Sequence, residues 1–393
     1  MQLAARQGVL LLTGGPGTGK TTSVRAIVAM LDRMGCTTLL MAPTGRAAKR
    51  LGELCGREAQ TIHRALGASW KDDEAIFQKN EKEPLEAEAV IVDEMSMVDL
   101  PLMAALLAAI RDGCRLVMVG DPDQLPSVGP GNVFGDLIRS GQVETVGLTE
   151  IFRQAQASAI IRTAHVVNEG QLPELRNSAD SDFFFMRRRD PLAVVELVVE
   201  LCGVRLPQNM GVEASQIQVL CPTRKGEWGT AALNRALQAA LNPPAPDKRQ
   251  KAWGEAVFRE GDRVMQIRNN YDVLWVRDGG VTGAGIFNGD VGIVEEIDPS
   301  GEMMSVRFDD RVATYVSDML GELELAYAVT VHKSQGSEYR AVVLVALPAA
   351  PALMVRGVLY TGITRARELL VVVGDDVALG RMAANDRQQR RYS

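Results

Sequence analysis

Gly14-Gly15-Pro16-Gly17-Thr18-Gly19-Lys20-Thr21 has a spacing suited to one task, wrapping a polyphosphate. It fits G-x-x-x-x-G-K-[ST], placed after an apolar strand and before a helix. Glycines let successive backbone N–H groups turn inward, and the helix N-terminus adds positive potential. Lys20 then supplies charge to the β- and γ-phosphates, the Thr21 hydroxyl suits magnesium, and Thr22 extends the same helical turn. Asp93-Glu94 follows the apolar run Ala89–Val92. Asp93 suits magnesium, directly or through water, and Glu94 is placed to polarise an attacking water. Alone, two acids after a strand would say little; with the phosphate loop upstream they imply hydrolysis of ATP with magnesium.

These residues need elements to hold them. Val9–Leu12, Thr37–Ala42, Ala89–Val92 and Arg115–Val119 read as short apolar strands, with Thr21–Met34 as a helix after the loop. Such strands alternating with helices predict a buried parallel sheet with ligands at its carboxyl ends. Gln216–Cys221, Ala341–Leu347 and Leu369–Gly374 repeat the pattern in the second half. From Glu260 to Leu320 the period changes to two, with Gly and Asp turns, and predicts a small inserted antiparallel barrel. The proline-rich run 242–246 reads as a linker into it. Gly67–Pro84 is polar and charged apart from Trp70 and Phe77, and reads as a second insertion.

A length of 393 residues suits two domains plus insertions. With 43 basic against 49 acidic residues the net charge is −6, so any nucleic-acid contact must come from local patches. The five cysteines are scattered without close pairs, which suggests reduced thiols in a cytoplasmic protein. No uncharged apolar run reaches membrane-spanning length, and no membrane partner is expected.

Eight segments occur in an order that resembles superfamily 1 helicases: GGPGTGKTT, APTGRAAKRL, TIHRALG, VIVDEMSM, VGDPDQLPSVGPG, TEIFRQ, VHKSQGSEY and LYTGITRARE. The nearest likeness is to the RecD-like branch, the exodeoxyribonuclease V alpha-subunit family, over about residues 9–392. The resemblance implies an α/β fold of two tandem RecA-like domains, 1–150 and 151–393. A short wedge at 67–84 and an SH3-like barrel at 260–320 would be inserted in them. It implies ATP hydrolysis between the domains and 5′→3′ movement on single-stranded DNA, with duplex junctions and subunits of a repair complex as partners.

The resemblance also assigns roles. Gln124 would sense the γ-phosphate and the attacking water, although a loop-capping amide is its plain alternative. Arg153 and Arg365 would reach the γ-phosphate, Arg365 from the second domain, so that the site is complete only when the domains close. Gly336 is expected near the nucleotide, where it would permit close backbone approach, Glu338 would accept from the ribose or orient a neighbouring arginine, and Arg367 reads as a solvated helix residue. For the strand, Pro43, Thr44, Gly45 and Arg46 open a helix whose N-terminus suits a phosphate. Thr61, His63, Pro222, Thr223, Arg224, Thr330, His332 and Ser334 are further strand candidates. Both histidines stand evenly between strand contact and a structural role. Lys49 and Arg50 stand between strand charge and a solvated helix face. In the barrel, Arg263, Arg268, Asn269, Asn270 and Tyr271 are candidates, and Trp70 in the wedge either stacks on a base or covers a core edge.

The pattern departs from the family at one site. The glutamine that reads adenine upstream of the phosphate loop has no counterpart at its offset, since Gln2 and Gln7 stand elsewhere. The N-terminal region of longer relatives is also missing, and exonuclease activity would have to come from a partner. A strand-stimulated ATPase without unwinding and an RNA-directed helicase of the same superfamily share these motifs.

Overall fold

Alternation in twos sets both faces of the first sheet. Leu11, Met41, Val90, Val92, Leu116 and Met118 pack on one side, and Leu10, Leu12, Leu40, Ile91, Val117 and Val119 on the other. The computed structural model describes residues 1–71 and 74–387, and the side chains of residues 70, 71, 74, 153 and 154 also fall outside the description. The first sheet has six parallel strands in the order Gln60–Thr61, Thr38–Ala42, Ala89–Val92, Arg115–Gly120, Val9–Gly14, Thr145–Leu148. The strands at Ala89–Val92, Arg115–Gly120 and Val9–Gly14 are therefore neighbours. Their carboxyl ends place Asp93, Asp121 and the phosphate loop side by side. The helix after the loop runs Lys20–Arg33.

The second sheet has five parallel strands in the order Ala328–Thr330, Ile217–Cys221, Tyr339–Ala346, Ala366–Gly374, Phe183–Arg187. Its two faces bury separate cores, one around Leu220, Val342, Leu344, Leu370 and Val372, the other around Val219, Val343, Val345, Val371 and Val373. The predicted strands all exist. The last begins earlier than expected, at Ala366, so Arg367 lies on a strand rather than a helix.

The change of period reports a separate antiparallel sheet of seven strands between Arg263 and Leu325. Val264, Val294, Val306, Ala313 and Tyr315 fill its core. The run at 242–246 is less of a free linker than its prolines suggest. Asn242 is buried and donates to the Asp262 carboxylate at 2.7 Å, and Lys248 donates to Asn242. The predicted insertion near 67–84 is a two-stranded hairpin, Ala68–Lys71 with Glu74–Phe77. The Trp70 side chain lies outside the described residues. No helix among the described residues is long and apolar enough to cross a membrane.

Candidate functional site

A cavity of about 870 Å³ opens where the two parallel sheets face each other. Gly15, Pro16, Gly17, Gly19, Lys20, Thr21, Thr22, Asp93, Glu94 and Gln124 line it from the first lobe, and Glu338, Thr364, Arg365 and Arg367 from the second. Thr18 is buried beneath, its hydroxyl donating to the Gly15 carbonyl at 2.8 Å. Gly17 and Gly19 have φ of +74° and +85°, the left-handed region that a side chain resists. Lys20 Nζ folds back onto the carbonyl oxygens of Gly14 and Gly15. Phe152 lies across the loop, its amide donating to Gly17 O at 3.1 Å. Its ring would collide with any side chain at Gly19.

The acids take distinct positions. Asp93 Oδ1 accepts from the Glu94 amide at 2.8 Å, and Glu94 itself sits at φ +55°. A glutamate in the left-handed region is strained, and strain of this kind concentrates at functional sites. Burial, with Glu94 beside it, pushes the Asp93 carboxyl up to about 6 against the pull of Lys20 and Arg50. Asp93 and Thr21 line the same cavity and supply hard oxygens of the kind magnesium takes, and a glycine-rich loop before a helix suits phosphate oxygens. These residues fit magnesium and a nucleoside triphosphate.

Arg365 lines the cavity but is 2% exposed. Its guanidinium donates to the carbonyls of Thr361 and Ser337 and to Thr364 Oγ1. It is thus held within its own lobe at the cavity wall. The Arg153 side chain lies outside the described residues. Gln124 is 7% exposed, with its amide NH₂ toward Asp121.

Two residues that sequence reasoning missed stand beside the phosphate loop, where a Cβ at Gly15 would meet both. His165 Nε2 lies 3.3 Å from Pro16 O, and the Tyr360 hydroxyl donates to Asp121 Oδ2 at 2.8 Å. Tyr360 is contained in the LYTGITRARE segment, whereas nothing local flags His165.

A second groove, about 340 Å³, lies between the lobes on the side of the Gly45–Cys55 helix. It gathers Pro43, Thr44, Gly45, Arg46 and His63 with His332 and Lys333, and the turn Asn288–Asp290 of the inserted sheet closes one wall. Thr44 caps the helix, accepting from Ala47 N at 3.3 Å. The His63 ring stands 6.0 Å from Phe77, so the hairpin insertion packs against the groove wall. Burial holds the His63 imidazole below its usual range.

Several expected residues stand elsewhere. Gly336 does not line the nucleotide cavity. It faces Thr44 across the lobes at φ +70°, where an added Cβ would come 2.7 Å from Thr44 Oγ1. Ser334 is fully buried and donates to Val331 O, so its hydroxyl serves the local turn. Thr61 caps the short helix Ile62–Ala65, and Thr330 accepts from Lys333 N. Pro222 is buried, Thr223 donates to Lys225 O, and Arg224 pairs with Glu324, all outside the groove lining. Arg263 donates to Ile217 O at 3.1 Å, joining the inserted sheet to the second parallel sheet. Asn269 and Asn270 brace their own turn through Asn288 and Glu322, and Tyr271 packs edge-on to Phe287. Local side-chain commitments of this kind are invisible to motif order.

The helix Gly45–Cys55 also carries contacts between the lobes. Arg50 pairs with Glu338 at 2.5 Å, Lys49 with Asp309 at 2.8 Å, and Arg46 donates to Ser337 Oγ at 3.3 Å. Lys49 and Arg50 thus have carboxylate partners on the second half of the chain, while both side chains keep substantial exposure.

Two parallel sheets facing across a cavity, with a phosphate loop on one and an arginine-bearing strand on the other, define a two-lobed P-loop protein. Family models agree in the order of the parts: an AAA domain at residues 1–130, the SH3 domain of ATP-dependent RecD-like DNA helicases at 233–308, and a UvrD-like helicase C-terminal domain at 325–373. The chain is 37% identical over 389 residues to the ATP-dependent RecD2 DNA helicase of Deinococcus radiodurans, covering 99% of this chain and 50% of that protein. It is 31% identical over 414 residues to the RecBCD enzyme subunit RecD of Mycobacterium tuberculosis, covering 96% and 68%. Among solved structures, Pif1 helicase from Candida albicans superposes with a TM-score of 0.56 at 19% identity, covering 98% of this chain and 94% of that one. Bacteroides Pif1 bound to single-stranded DNA gives 0.54 at 20% identity, covering 94% and 89%. The chain belongs to the RecD-like family of superfamily 1 helicases. It spans about half the length of the Deinococcus relative.

Proposed function

We propose that this chain is a DNA helicase motor that hydrolyses ATP between two RecA-like domains, 1–150 and 151–393, and moves 5′→3′ along single-stranded DNA. The observation that carries the reading is that two cavities share the same pair of walls. Both the nucleotide cavity and the groove at Thr44 are lined from both lobes, so one change in lobe separation alters both sites. The segment 121–129 contributes Asp121 and Gln124 to the first and Ser127 and Gly129 to the second.

In this reading the loop Gly15–Thr22 binds ATP, and Thr21 and Asp93 hold magnesium, which supplies positive charge to the phosphate oxygens. Glu94 takes the proton of the attacking water and Gln124 orients it. Arg365, and Arg153 with it, stabilises charge spreading over the phosphoryl oxygens as the lobes close. Glu338 serves the nucleotide side of the same closure. Pro43, Thr44, Gly45, Arg46, His63 and His332 hold strand phosphate and sugar, which makes binding tolerant of sequence. The inserted sheet acts as the SH3-like barrel and the hairpin at 67–84 as the wedge. The reading includes a cytoplasmic site of action, and the RecBCD subunit name of the mycobacterial relative supports assembly with repair subunits.

Strand displacement on duplexes with a 5′ or a 3′ single-stranded tail, as DNA and as RNA, tests this. Unwinding of 5′-tailed DNA is expected, abolished by Lys20→Ala in a folded protein. Unwinding from 3′ tails alone, or turnover that survives Lys20→Ala, would overturn it.

A further inference from the structure

One buried hydrogen bond crosses between the lobes directly behind Gln124. Tyr360, 1% exposed on the helix Arg356–Ile363 of the second lobe, donates to Asp121 Oδ2 at 2.8 Å. Asp121, also 1% exposed, ends the strand Arg115–Gly120 of the first lobe. The same Oδ2 oxygen lies 3.4 Å from Gln124 Nε2. An ionised carboxylate only accepts, so it holds the NH₂ end of the glutamine toward itself. The carbonyl oxygen Oε1 is left as the free end, buried and without a partner among the described residues, on a side chain whose residue lines the nucleotide cavity. A free acceptor there suits an attacking water, which must donate a proton as it is oriented. An NH₂ turned the same way would compete for the water's lone pair.

The neighbouring backbone is gripped from the same side. Leu125 N donates to Thr361 Oγ1 at 2.9 Å, and Leu125 O accepts from Gln335 Nε2 at 2.7 Å. Thr361 follows Tyr360, and Arg365 lies one turn beyond. A single piece of the second lobe therefore fixes both the segment that carries Gln124 and the position of Arg365.

We infer that Tyr360 is a positioning residue for hydrolysis, acting through Asp121 to hold the Gln124 amide with its oxygen toward the nucleotide only while the lobes are together. The inference rests on the ATPase reading above and adds a means by which closure reaches the water-orienting group. When the lobes part, Asp121 loses its donor and Leu125 its two anchors, and Gln124 is released.

Steady-state ATP turnover with saturating oligothymidine tests it in four proteins: unsubstituted, Tyr360→Phe, Gln124→Ala and the double variant. Tyr360→Phe removes one oxygen and is expected to lower kcat about tenfold while the KM for ATP stays within about twofold, the scale of one charge-assisted hydrogen bond. The double variant should match Gln124→Ala within about twofold, because residues acting through one group do not add. A tyrosine that only packs would not give this non-additive pattern in kcat. Asp121→Asn reads the same link from the first lobe should Tyr360→Phe fail to fold. The new amide donates, Gln124 turns its oxygen toward it, and a similar kcat loss follows. Unchanged kcat in Tyr360→Phe, losses that multiply in the double variant, or a loss confined to KM would overturn the inference. No hydrolysis by the unsubstituted chain would overturn the ATPase reading along with it.

Discussion

Gly336→Ala separates the strand side of the cleft from the nucleotide side. Gly336 has φ +70° and faces Thr44 of the other lobe, where an added Cβ would meet Oγ1 at 2.7 Å and Met97 Sδ at 3.3 Å. Two costs follow. Alanine in the left-handed region is strained by about 1 kcal/mol whether the lobes are open or shut. That should lower Tm by roughly 2–4 °C for a lobe of this size. The clash exists only when the lobes are together. Moving Thr44 Oγ1 aside gives up its cap on the Gly45–Cys55 helix, and with the overlap this costs about 1–2 kcal/mol. A protein that avoids the clash by staying open loses strand affinity by roughly 5- to 30-fold. Anisotropy of a labelled oligothymidine and a fluorescent ATP analogue, alongside thermal melting, would read the three quantities. Weaker strand binding with little change for the nucleotide is expected. A lower Tm with unaltered strand affinity would refute the interlobe argument, and an equal loss for the nucleotide would return Gly336 to that cavity.

Arg365→Ala should lower kcat by roughly a thousandfold while sparing ATP affinity, because the arginine is asked to act on the transition state. Joint loss of fold and binding would make it structural, through its three hydrogen bonds to Thr361, Ser337 and Thr364. Arg50→Ala removes a partly exposed ion pair to Glu338 worth about 1 kcal/mol or less. Fluorescence transfer between labels on the two lobes should show wider separation without nucleotide, with no further change on adding Glu338→Ala. Additive shifts would count against the pair. The Asp93 carboxyl, raised to about 6, must ionise before magnesium can take it. Affinity for magnesium–ATP should therefore fall as pH drops through 6. Calorimetry in buffers of different ionisation enthalpy should show proton release near pH 6 and none at pH 8. Release independent of pH would refute that assignment.

The phosphate loop, Asp93-Glu94 and the short apolar strands were legible in the sequence because each rests on neighbours in the chain. Backbone wrapping around phosphate needs contiguous glycines, and a buried strand needs a short apolar run. The inserted antiparallel sheet was visible for the same reason, as a local change of period. Motif order suggested which residues belong near ATP or strand, but it does not say what a side chain does once packed. Ser334 and Thr61 spend their hydroxyls on local turns, and Arg263 ties two sheets together. Gly336, grouped by its motif with the nucleotide, faces Thr44 in the groove region. Which partners join the lobes was beyond sequence reasoning, even where an arginine was expected beside Glu338. Arg50 meets Glu338 from 288 positions away, and Tyr360 meets Asp121 from 239. Local pattern determined two lobes and one phosphate loop. The stacking of the sheets decided which polar groups share a buried wall, because only folding brings distant residues within hydrogen-bonding reach and removes the water between them.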